Sequence, residues 1–175
     1  SDVSIPEIVR RAGSSVGGFY ARFRDKNALL RALEERFFND VLERVNDIAE
    51  PERWRGVPVA EIVRPCVAEF VQMFREREAL INAFLFRAVH DPEFIAEGLR
   101  FRRGVSERIS SLLLERRGEL DHPDPEVAIE IVVQMSIGLL QQMSLSGDLH
   151  VDGRRITDDR IVDEISRIFL TYIGN

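Results

Sequence analysis

Cysteine is almost absent from the chain. Cys66 stands alone, so no disulfide can form within it and no thiolate cluster can hold a metal. Histidine is confined to His90, His122 and His150, each in a turn-like stretch beside or near an aspartate. None forms the helical pair that an H-E-x-x-H zinc site requires, and no metal is expected. No continuous run approaches the roughly 20 apolar residues of a membrane span, and the opening residues carry no signal-peptide pattern. With a lone thiol as well, the expectation is a soluble, cytoplasmic protein with no membrane partner. Positive charge is also short. The net charge of −6 excludes a protein that coats nucleic acid indiscriminately, but the deficit is uneven. Residues 1–36 hold seven basic residues against five acidic ones, a balance of +2, which leaves −8 for the remainder. That asymmetry suits a basic head on an acidic body.

What is present is concentrated near the start. Ser4 and Glu7 have the spacing of a capping box, and Pro6 suits a first helical turn. Ile8 and Ala12 then recur at i, i+4 as a buried stripe, and Gly13 is placed to stop the helix in a left-handed C-cap. Ser15 can cap a second helix carrying Phe19 and Phe23, and Asp25 a third, much longer one. Two capped helices joined by a few residues including glycine form a helix-turn-helix. With Phe19 and Phe23 inward, Val16, Gly17, Tyr20 and Ala21 face out. Gly17 and Gly18 let backbone amides approach a phosphate, and Tyr20, Arg22 and Lys26 supply donors around that face. A capped αα-hairpin with no partner fits the same residues.

The run Arg11-Ala12-Gly13-x-Ser15-x-Gly17-x-Phe19-Tyr20-x-x-Phe23-x-x-Lys26-x-x-Leu29-Leu30 resembles the DNA-binding signature of TetR-type transcriptional regulators. The resemblance implies that the second helix of the motif enters the major groove and that Tyr20 and Lys26 contact phosphates, with Arg22 in a similar role. With the outward face of that helix, the expected DNA-contacting set is Ser15, Val16, Gly17, Gly18, Tyr20, Arg22 and Lys26. Ser14 and Gly18 depart from the pattern, which commonly has a small apolar residue and a threonine there. The family also places a helix ahead of the motif. The chain opens at Ser1, so the expectation is a native protein longer at its N-terminus.

From Lys26 to about Ile48 the apolar residues Leu29, Leu30, Leu33, Phe37, Val41, Val45 and Ile48 keep helical spacing. That helix would be about 35 Å long. Glu50-Pro51 ends it, and 52–58 reads as a connector. Further helices are expected over 59–75, with Pro65 marking a start or a bend, then 78–90, 92–117, 126–145 and about 158–173. Asp91 and Thr157 or Asp158 serve as caps, and Gly98 and Gly104 mark close packing or a bend. Residues 146–155 read as a loop. The fold class is all-α, divided into a DNA-binding region at 1–36 and a body at 37–175.

No catalytic constellation emerges. His90-Asp91-x-Glu93 lacks a second ligand pair, and Gly13–Gly18 has Phe19 where a phosphate loop needs lysine. Cys66 on an apolar stripe reads as a core thiol. Arg100, Arg102 and Arg103 read as a solvated face. Phenylalanines crowd 70–101 across three helices, which is ordinary core for any one of them. Together, and with the ligand-binding domain the resemblance implies, they mark an apolar pocket. Its expected lining is Phe70, Phe74, Phe84, Phe101, Gln134 and Met135. Glutamines in an apolar wall orient a ligand or meet a partner helix, and the sequence leaves both open. Val127, Ile131, Val132, Val133, Met135, Ile137, Leu139 and Leu140 wrap the helix of 126–145, which must therefore be covered all round. The resemblance implies that the last two helices pair with their copies in a homodimer, with Ile131, Gly138, Ile161, Ile165 and Phe169 at the interface.

The combined expectation is a cofactor-free, non-enzymatic repressor. It would bind a palindromic operator in double-stranded DNA as a homodimer and leave it when a small apolar or amphipathic effector binds. A helical module that binds a small molecule or a protein and has lost DNA binding is the alternative.

Overall fold

A computed structural model describes residues 3–88 and 91–174. The described residues form eight α-helices: α1 (Ile5–Arg11), α2 (Val16–Tyr20), α3 (Lys26–Ile48), α4 (Val59–Glu76), α5 (Glu78–Ala88), α6 (Pro92–Leu114), α7 (Pro125–Ser146) and α8 (Asp158–Ile173). Short 3-10 turns at Pro51–Trp54 and Arg117–Glu119 follow α3 and α6. The residues group into two compact units, Ser1–Asp40 and Val41–Asn175, with the division inside α3.

In the first unit α1 packs on α2. Gly13 takes a φ of +61° after the C-cap residue Ala12, a conformation that disfavours any side chain. The expected capping box does not form. Ser4 makes no side-chain cap bond, because the Glu7 carboxylate turns forward to Arg10 (2.7 Å) and Arg11 (2.6 Å). Those bonds hold its pKa below the usual range, Arg10 contributing most. The buried residue of α1 is Val9, with Ile8 half-buried and Ala12 exposed. The α2 helix is shorter than expected and ends at Tyr20. Phe23 follows in a turn, its amide bonded to the Phe19 carbonyl. Asp25 caps α3 as expected, its carboxylate accepting from the Ala28 amide at 2.8 Å.

The second unit is a layered helical body in which α4 packs on α8, while α7 packs on α5, α6 and α8. Pro65 is accommodated inside α4 on its exposed side. Asp91, Asp124 and Thr157 cap α6, α7 and α8 through side-chain acceptors. By length and composition α7 could cross a membrane, against the expectation of no such stretch. Its Ala128, Ile129, Val132 and Leu140 are instead buried in the core of the body. The α3 end is anchored within this unit. Arg44 pairs with Glu76 (2.7 Å) and Glu69 (3.3 Å), and Trp54 Nε1 donates to the Ile48 carbonyl at 2.5 Å. Arg116 then holds the connector by donating to the carbonyls of Val57 and Trp54.

The stretch read as a loop at 146–155 contains a hairpin, β1 (His150–Val151) paired antiparallel with β2 (Arg154–Arg155). Asp152 and Gly153 both have positive φ, the requirement of a two-residue hairpin turn. Its base is fixed by Asp148, which accepts from Arg75 (2.7 Å) and Arg155 (2.6 Å).

Candidate functional site

The first unit presents the α2 surface to solvent. Ser15 Oγ accepts from the Gly18 amide at 3.0 Å, satisfying one of the free donors of the first turn. Phe19 is the buried anchor, and the Tyr20 ring stands edge-on to it at 5.4 Å with 54% of Tyr20 exposed. Val16, Gly17, Gly18 and Arg22 are exposed on the same short segment, and Lys26 at the start of α3 is half-buried. The structure thus brings all seven sequence-expected residues into one stretch and leaves six of them exposed. It also adds Ser14. A Cβ placed on Gly18 would lie 3.2 Å from Ser15 Oγ and 3.4 Å from Ser14 Oγ. The two departures from the family pattern are therefore neighbours, and a side chain at 18 would crowd the cap.

The second unit holds an apolar cavity of about 70 Å³. Val45 and Ile48 of α3, Cys66 and Phe70 of α4, Ser136 of α7 and Phe169 of α8 are among its walls, and the rest are valine, isoleucine, leucine and methionine. Burial pushes the Cys66 thiol up to about 11, so it is neutral at physiological pH. Of the six residues expected to line a pocket, only Phe70 lines this cavity. Phe74 is buried elsewhere in the core. Phe84 packs on Phe94 with ring centroids 5.4 Å apart, and Phe101 is half-buried outside the cavity. Gln134 points to an outer groove between α6 and α7, where it donates to Glu130 at 3.0 Å. Met135 is 57% exposed on the outer face of α7. For Gln134 and Met135 the reason is phase: α7 is apolar all round, and sequence alone does not say which of its residues point inward, whereas Phe74 and Phe84 do point inward but into other parts of the core.

The same phase error affects the expected dimer residues. Ile161, Ile165 and Phe169 are buried within the protomer, and the last two line the cavity. Ile131 and Gly138 do lie on the outer face. With Val127, Met135 and Leu145 they form a stripe at helical spacing along α7, beside the exposed Ile168 and Tyr172 of α8. Apart from the adjoining α7 backbone, no atom of the described residues lies within 4 Å of a Cβ built on Gly138.

Among the described residues no three His, Cys, Asp or Glu side chains gather as metal ligands. His90 lies outside the described residues. Asp91 is occupied as the α6 cap, and His122 accepts from the Asp124 amide at 3.0 Å.

A capped, two-helix reading head and a helical body with an apolar cavity define a helix-turn-helix DNA-binding protein. The family model for bacterial regulatory proteins of the tetR family matches residues 1–33. The model described as tetracyclin repressor-like, C-terminal domain, matches residues 58–172. The chain belongs to the TetR family, and is a DNA-binding transcriptional regulator. Regulators of this family bind operators as homodimers and are generally not enzymes. No curated protein matches the chain.

Proposed function

We propose that the protein is a cytoplasmic repressor that grips a palindromic operator as a homodimer and is released by a small apolar effector. The observation that carries the reading is the α2 surface. A buried Phe19 fixes a five-residue helix whose Val16, Gly17 and Tyr20 face solvent. Val16 and Gly17 are placed to meet base edges, and Tyr20, Arg22 and Lys26 to hold phosphates, which position the protein without specifying sequence. The reading head falls within residues 1–36 and the ligand-binding and dimerisation body within 37–175.

The dimer contact we assign is the outer stripe of Val127, Ile131, Met135 and Gly138 with Ile168 and Tyr172. A contiguous apolar stripe of this kind marks an interaction surface, and Gly138 admits a close helix. The effector site is the cavity in the body, which supports the reading because Val45 and Ile48 belong to the same helix that begins at Lys26. A ligand acts only if it binds the two DNA-affinity states unequally. Electrophoretic mobility of the region upstream of the gene tests the proposal. A salt-sensitive complex at an inverted repeat supports it. Ligand binding without any DNA complex would favour a module that has lost its operator.

A further inference from the structure

We infer that the effector is a compact, uncharged and wholly apolar molecule about the size of a single ring, and that its volume, not a polar contact, is the signal. The inference rests on the proposal that a ligand in the helical body controls DNA binding.

The walls of the cavity carry the chemistry. Among the described residues no charged side chain lines it. Its polar groups are the Cys66 thiol and the Ser136 hydroxyl, and the hydroxyl already donates to the Val132 carbonyl at 2.8 Å. A carboxylate or ammonium placed there would lose its hydration and gain no partner, a cost that an apolar guest avoids. Arg53 is the cation whose field reaches Cys66, but it is not part of the wall, and its guanidinium stacks over the Trp54 ring at 5.0 Å. Apolar cavities take xenon or hydrocarbons.

Size supplies the signal. The cavity of about 70 Å³ is roughly half the volume of an engineered apolar cavity that accepts benzene. Xenon therefore enters without moving the walls, whereas a ring must push them apart. Close-packed interiors compress little and pass such strain on. Among the walls are Val45 and Ile48, the last apolar residues of α3, and the Ile48 carbonyl is tied to Trp54. Expansion of the cavity therefore acts on the end of α3.

The test compares xenon, toluene and hexanoate by thermal denaturation and by operator binding in one preparation. Toluene at about ten times its Kd is expected to raise Tm by about 4 °C and to weaken DNA binding at least tenfold. Xenon is expected to give a bound-xenon NMR signal and leave DNA affinity unchanged, and hexanoate to shift nothing. Cys66→Leu and, as a milder filling, Val67→Ile should both remove or reduce the toluene shift while keeping the parent helical spectrum. Three results overturn the inference: hexanoate stabilising more than toluene with loss of that gain in Arg53→Gln, xenon releasing DNA, or toluene shifting both filled variants as it shifts the parent. Failure of toluene to bind also overturns it. DNA binding measured without any ligand stays intact in that case, whereas its absence would instead sink the regulator reading.

Discussion

Two glutamate substitutions three residues apart on α8 should have opposite consequences. Ile165 is 3% exposed and lines the apolar cavity, whereas Ile168 is 45% exposed on the outer face. Ile165→Glu places a carboxylate in a wall that holds no cation among the described residues, and an uncompensated buried charge costs about 3–5 kcal/mol. That is a large share of a typical folding free energy of about 5–15 kcal/mol. For a body of this size it corresponds to a fall in Tm of roughly 8–15 °C. Ile168→Glu leaves the protomer within about 0.5 kcal/mol of the parent, because the side chain already meets water. It should nevertheless abolish the dimer. Sedimentation velocity separates the two, and so does concentration dependence. The parent Tm should rise with protein concentration by mass action, and that of Ile168→Glu should not. A folded, monomeric Ile165→Glu with an unchanged Tm would refute the assignment of faces on α8.

Other outcomes follow from the same geometry. Tyr20→Phe and Lys26→Ala should weaken binding to all sequences alike, and Lys26→Ala should lower the salt slope by about one; Val16 substitutions should change the preferred sequence. Arg75 beside Asp148 holds that carboxyl below the usual aspartate range. The stability this pair contributes is therefore complete above about pH 4 and lost as pH falls through the lowered folded value. The urea midpoints of parent and Asp148→Asn should differ by a constant amount from about pH 5 to 8 and converge as pH falls below the lowered folded value. Burial that raises the Cys66 thiol to about 11 disfavours its ionisation in the folded state. Stability should fall as pH rises above about 9, where the unfolded thiol ionises. At about pH 8 a disulfide reagent should label the half-buried Cys66 far more slowly in the native protein than after unfolding, and equal rates would contradict its placement in the body.

Much of the architecture was legible because its signals are local. Asp25, Asp91 and Thr157 cap the helices they precede, and Gly13 takes the left-handed turn its position predicts. Ser4 did not cap because Glu7 has two arginines one turn ahead, and ion pairing there competes with the box. The hairpin is hard to read from sequence although Asp152-Gly153 is a strong two-residue turn signal, because its strands are only two residues long. The residues assigned to DNA sit together because they are adjacent in sequence. Those assigned to the pocket and dimer scattered because their inward phase depends on tertiary packing. On α7 apolar residues occupy both faces, and on α8 the stripe of Ile161, Ile165 and Phe169 that looked like an interface is the core itself.

The central claim is that the α2 surface reads DNA, and fluorescence anisotropy on a labelled inverted repeat from the upstream region tests it most directly. The account predicts a complex whose log affinity falls linearly with log salt, one dimer per repeat, and a loss of at least tenfold in Tyr20→Phe/Lys26→Ala. Unchanged affinity in that double variant, with salt dependence intact, would place the DNA-binding surface elsewhere on the protein.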